Sequence, residues 1–231
     1  PITDPDGNPL PNSIAALETV ELNGSQQWIT IRGHSTDLPV LLFLAGGPGG
    51  SELVMTRRYL SELEEHFIVV NWDQPGTGKS YDAVALAALT PERYVPDAYE
   101  LTLYLRQRFD EEKIYVFGES WGSILAVHLV RQHPDLFHAF ISTGQMVNPV
   151  QNDIQMYEFA IELLTEQGRL EDVEQLRRNG LPPYAGDQLI GRFNTINEII
   201  NGYMHVHALG EGASHNLLFD SLQLRQYGLL A

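Results

Sequence analysis

A chain of 231 residues can bury a sizeable core, enough for one domain plus an elaboration, and its 43% apolar content is ordinary for a globular protein. It has no cysteine, which excludes disulfides, zinc–thiolate sites and a thiol nucleophile, and which is compatible with a cytoplasmic location. The net charge of −16 argues against nucleic acid and anionic membrane surfaces as partners. It suits solubility or the attraction of cationic substrates, such as a peptide with a free amino terminus.

The first elements read as strands. Leu17 to Leu22 and Gln27 to Arg32 alternate apolar and polar residues around Asn23-Gly24, the pattern of an antiparallel hairpin. Val40-Leu41-Leu42-Phe43-Leu44 is continuously apolar, as expected for a strand buried on both faces. A helix is predicted from near Ser51, with Leu53, Tyr59, Leu60 and Leu63 inward, and Phe67 to Val70 is the next buried strand. Thr90-Pro91 and Pro96 punctuate the start of a helix running through Leu101, Leu105 and Phe109. Lys113 to Phe117 is a strand, Ile124 to Val130 a helix that stops at His133-Pro134, and Phe140 to Ser142 a weaker strand. Strand and helix in alternation imply a mostly parallel sheet with helices on both faces, where ligands sit at the carboxyl ends of the strands.

Three glycine-rich turns follow strands and are expected to share that edge. Gly118-Glu119-Ser120-Trp121-Gly122 lies between strand and helix, the context of a nucleophile elbow. So tight a turn strains the serine backbone, lifts Ser120 Oγ above the sheet, and requires small residues where Gly118 and Gly122 stand. Ala45-Gly46-Gly47-Pro48-Gly49-Gly50-Ser51 exposes backbone N–H groups for a developing oxyanion. Pro48 cannot donate, which leaves Gly46 or Gly47, with Gly47 favoured, and the N–H of Trp121 is the second donor. Asp73-Gln74-Pro75-Gly76-Thr77-Gly78-Lys79-Ser80 ends like a phosphate loop, but that pattern needs glycine where Asp73 stands, so nucleotide binding is not expected.

Gly46 to Gly50, Trp72 to Ser80 and Gly118 to Ser123 together resemble three signatures of the proline iminopeptidases, over about residues 15–150. The resemblance implies an α/β fold, the α/β-hydrolase: a mostly parallel, doubly wound sheet with an inserted helical cap. It implies a serine aminopeptidase that releases N-terminal proline or a similar small residue by acyl transfer, without a cofactor. In the family, histidine stands at the position of Ala45 and arginine at that of Pro75. These positions support the active-site loops, so their replacement bears on substrate preference and leaves the nucleophile and the backbone donors untouched. In the family, acidic cap residues bind the substrate amine; Glu158, Glu162 and Glu198 are the candidates here, and Tyr157 and Phe159 could shape an apolar pocket or pack the core.

Beyond Thr143 the chain reads as helical. One amphipathic helix is marked by Ile154, Tyr157, Ile161, Leu164 and Leu170, a second by Val173 and Leu176 before Asn179-Gly180, and a third by Leu189, Phe193, Ile196 and Ile199. The expected organisation is a hydrolase core over 1–145 and a helical cap over 146–231, with the remaining core strands absent. The family's catalytic aspartate and histidine are expected beyond Ala231, and a few residues or a processed leader before Pro1. Among the histidines, His34, His66, His133 and His138 read as surface or structural residues and His128 as a packing residue, while His205 and His207 fall in the cap. A compact triad of Ser120, Asp187 and His215 has the right order, although the segment before Asp187 is a poor strand. No run is long enough for a membrane span, no signal peptide is visible, and no HExxH or clustered His/Asp pattern points to a metal. The alternatives to the aminopeptidase are an esterase or amidase of the same fold, and a catalytically silent binding protein.

Overall fold

The computed structural model describes residues 2–208, which fall into two compact units, the first running to Met146 and the second starting at Val147. In the first, six strands form one sheet in the order β1-β2-β4-β3-β5-β6. β1 (Ile14–Leu22) and β2 (Ser25–Gly33) are the antiparallel hairpin, with Leu22 opposite Ser25. Its turn needs positive φ at both central residues, and Asn23 (45°) and Gly24 (75°) supply it. β2 pairs antiparallel with β4 (Ile68–Asp73), while β3 (Val40–Leu44) runs parallel between β4 and β5 (Ile114–Glu119), and β6 (Phe137–Thr143) adds parallel to β5. The sheet is thus mostly parallel.

Every residue of β3 is buried, because helices cover both of its faces. Val40, Leu42 and Leu44 join the core beneath α2 (Pro91–Phe109) and α3 (Trp121–Gln132), together with Leu101, Leu105, Leu125 and Leu129. On the opposite face Phe43 stacks on Phe117 at 4.6 Å, and α1 (Leu53–Tyr59) is fastened to β4 by Thr56 Oγ1 donating to Asn71 Oδ1 at 3.1 Å. The hairpin is tied to α2 through Asp97, fully buried, which accepts from Asn23 Nδ2 at 2.7 Å, Gln27 Nε2 at 2.6 Å and Arg93 Nε at 2.8 Å.

Several local expectations are corrected. α1 ends at Tyr59, which with Leu60 is about one-third exposed (37% and 36%) rather than inward, because a 3₁₀ turn over Ser61–Glu65 redirects the chain. Pro96 lies inside α2 rather than at its start, where it removes one N–H from the ladder. His128 is exposed, not packed: the buried face of α3 is Leu125, Ala126 and Leu129.

The second unit contains α4 (Pro149–Glu166), α5 (Leu170–Asn179) and α6 (Leu189–Ala208). Asn148 caps α4 by accepting from the Gln151 N–H at 3.0 Å. Leu170 does not belong to α4 as its spacing implied. Gly168, at φ 70°, turns the chain, and Leu170 opens α5 at 63% exposure. Ala160, Leu164, Val173, Leu176 and Ile196 are the buried centre of this unit. Among the described residues no helix is long and apolar enough to cross a membrane.

Candidate active site

Ser120 joins β5 to α3 with φ 48° and ψ −115°, a region that a residue with a side chain enters only under local constraint. The constraint is a set of main-chain clamps. The Ser120 N–H donates to Thr143 O at 3.0 Å, at the end of β6. The Ser120 carbonyl accepts from Ser123 N at 2.9 Å and from Ser123 Oγ at 2.5 Å, and Ser123 Oγ accepts the Met146 N–H at 3.2 Å. Both flanking glycines are required sterically. A Cβ on Gly118 would stand 2.7 Å from Gly122 O, and one on Gly122 would run into the Leu44 carbonyl. The second contact involves the neighbouring strand β3, which the local spacing of the motif did not reveal.

The other two glycine turns meet the elbow through polar side chains. Gln74 donates from Nε2 to Ala45 O at 3.2 Å and accepts from Trp121 Nε1 at 3.3 Å, so it joins all three loops. Asp73 accepts from Ser51 Oγ at 2.7 Å and from the Lys79 N–H at 2.9 Å. That carboxylate holds an amide a phosphate would have needed, and Lys79 Nζ lies 5.2 Å from the centre of the Trp28 ring, so the second turn is a structural loop. Tyr94 donates its hydroxyl to Pro75 O at 2.9 Å. The loops frame an apolar cavity of about 440 Å³.

Two main-chain donors of these loops make no hydrogen bond of their own. Gly47 (φ 133°) and Trp121, the first residue of α3, make no N–H hydrogen bond among the described residues. The Gly46 N–H faces the Glu119 carboxyl instead, and a Cβ on Gly46 would collide with Glu119 Oε2.

Glu119 and Glu52 lie in the same loops as Ser120 and Gly47 and were not singled out from the sequence. The signal was present: Glu119 stands immediately before the serine, and Glu52 ends the first glycine loop. Burial pushes the Glu52 carboxyl from its ordinary 4.5 up to about 6, with the Glu119 charge adding to the effect. Burial also raises Glu119, offset in part by the Gly46 N–H. Among the described residues neither carboxylate has an ion-pair partner. Because the folded chain holds the Glu52 proton more tightly than the unfolded chain, its contribution to stability is complete below pH 4.5 and is lost as the pH rises through about 6. Glu52→Gln is therefore expected to stabilise the fold at pH 8, by on the order of 1 kcal/mol after allowing for partial exposure, and to have little effect at pH 4. Urea midpoints at the two pH values check this, and equal shifts at both would refute the assignment.

The other predicted residues are dispersed. Among the described residues no imidazole is bonded to the Ser120 hydroxyl: His133 stacks on Tyr99 and His138 lies against Tyr115. Asp187 is exposed in the turn before α6, and His215 lies outside the described residues. Glu158, Glu162 and Glu198 are exposed helix-face charges of the second unit. Tyr157 packs against that unit's core, and Phe159 meets Tyr203 edge-on at 5.1 Å. Among the described residues no cluster could hold a metal ion.

Comparison with known proteins gives the same frame. The family described as alpha/beta hydrolase fold matches residues 39–180. The chain is 35% identical over 225 residues to the probable aminopeptidase YbaC of Bacillus subtilis, covering 96% of this chain and 69% of that protein. It is 33% identical over 131 residues to a probable proline iminopeptidase of Leptolyngbya boryana, covering 57% of this chain and 36% of that protein. A solved structure of a proline iminopeptidase-related protein from Thermus thermophilus superposes with a TM-score of 0.51 at 21% identity, over 81% of this chain and 56% of that one.

Proposed function

The chain belongs to the α/β hydrolase fold family, and from that premise we propose that it is a serine hydrolase acting in the cytoplasm as an aminopeptidase, releasing N-terminal proline or a similar small residue from peptides. The observation that carries this reading is the strained Ser120 followed by the unused amide of Trp121, with the unused amide of Gly47 in the loop whose Gly46 packs against Ser120. Ser120 Oγ attacks the carbonyl of the first residue, giving its proton to a histidine outside the described residues. The tetrahedral oxyanion is held by the Gly47 and Trp121 N–H groups, each worth about 3 kcal/mol in the barrier. The leaving amine takes the proton, and water releases the acyl residue.

The carboxyls of Glu52 and Glu119, which have no ion-pair partner among the described residues, support a substrate with a free amino terminus. In such a substrate the ammonium is separated from the attacked carbon by a single carbon atom, so a carboxylate that attracts it must lie close to the serine. Glu119 is adjacent to Ser120 and packs on Gly46, whose own Cβ position is 3.4 Å from Ser120 Cβ.

The test is a fluorophosphonate probe followed by intact mass and peptide mapping. One adduct, on Ser120, is expected. N-acetylation of a cleaved peptide is expected to lower kcat/KM by about 100-fold or more, the size of one lost charged contact. No adduct would sink the hydrolase reading; equal cleavage of free and acetylated peptides would sink the aminopeptidase reading alone.

A further inference from the structure

The cavity of about 440 Å³ in the first unit is walled by Pro48, Pro75, Leu89, Pro91, Tyr94 and Trp121, with glycine backbone between them. Two of its walls adjoin the proposed oxyanion donors along the chain. Pro48 follows Gly47 directly, and Trp121 supplies both an amide and an indole wall. An acyl group whose carbonyl oxygen lies between those two amides carries its side chain one carbon further on, within reach of this space.

The chemistry of the walls is uniform. Among the described residues no lining side chain is charged, and the polar atoms of the two aromatics are committed: the Tyr94 hydroxyl to Pro75 O at 2.9 Å and the Trp121 indole N–H to Gln74 Oε1 at 3.3 Å. A charged side chain would lose part of its water here and gain no partner among the walls named above. Three prolines fix the wall shape in advance, so little ordering accompanies binding. The volume exceeds what a pyrrolidine ring fills and lies within the range of pockets that take larger ligands.

We propose that this cavity is the subsite for the side chain of the released residue, and that it accepts uncharged apolar side chains up to aromatic size, leucine and phenylalanine as well as proline, while rejecting lysine and aspartate. The proposal rests on the reading of Ser120 as nucleophile, and two measurements on the full chain separate them. The first is kcat/KM on the p-nitroanilides of proline, alanine, leucine, phenylalanine and lysine. Leucine and phenylalanine are expected within about tenfold of proline, and lysine lower by about 100-fold or more. Leu89→Trp, which fills the cavity, is expected to lower the phenylalanine-to-alanine ratio by about tenfold, and Pro75→Arg to raise the lysine disadvantage further. Lysine cleaved as fast as phenylalanine, or an unchanged ratio in Leu89→Trp, would overturn the proposal.

The second measurement needs no catalysis. Phenylalaninamide is titrated while the Trp121 indole N–H resonance, assigned through Trp121→Phe, is followed. A saturable shift in the parent chain that is lost in Leu89→Trp supports the cavity even if no anilide is cleaved, in which case only the hydrolase reading falls. No shift at millimolar phenylalaninamide overturns the subsite.

Discussion

Ser120→Ala is expected to lower kcat/KM by on the order of 10⁶-fold and to remove the fluorophosphonate adduct, while leaving the fold nearly unchanged. The two effects separate because the serine contributes to structure through its main chain. Its N–H bond to Thr143 O and the two bonds its carbonyl receives from Ser123 persist in an alanine. The Ser120 hydroxyl itself makes no hydrogen bond among the described residues, so its removal strands no buried partner. The Gly47 and Trp121 amides remain, and catalysis on the order of 10³-fold over water is expected to survive through them. Kinetics on a proline anilide beside a urea titration measure both. Parent-like turnover in the alanine variant would move the nucleophile elsewhere, and a large stability loss would show that the hydroxyl has an undetected structural role.

What the sequence made legible divides by the range of the interaction. The β1–β2 hairpin was readable because its turn depends on two adjacent residues, Asn23 and Gly24, and the buried strand β3 because five consecutive apolar side chains leave no polar face. The elbow was readable for the same reason: its geometry depends on neighbours in the chain. Glu52 and Glu119 were not, since their coupling needs two loops 67 positions apart to close on each other, and neither carboxylate is unusual in its local sequence. The cavity was not legible either, as its walls come from three loops and the start of α2. The spacing that assigned Leu170 to α4 failed because a helical period continues across a turn when the next helix begins in phase, and only Gly168 at φ 70° marks the break.

Gly122→Ala is expected to destabilise the first unit by about 3 kcal/mol, against the direction that local propensity predicts. Gly122 lies in the first turn of α3, where alanine is the better helix former by about 1 kcal/mol, so any net loss has to come from contact. That contact is with main chain. The added Cβ would meet the carbonyl of Leu44 and stand 2.8 Å from that of Ala45. Leu44 is paired with Gly118 in the sheet and is fully buried, so it cannot yield without opening the β3–β5 ladder or lifting α3. The same displacement would move the Trp121 amide relative to the Gly47 amide, so activity is expected to fall together with stability. Gly24→Ala is the control: at φ 75° with open space around its Cβ position, it carries backbone strain alone, about 1 kcal/mol. Urea midpoints of the two variants decide. A Gly122→Ala loss no larger than that of Gly24→Ala would mean that α3 does not approach β3 this closely, and the donor arrangement built on that approach would fall with it.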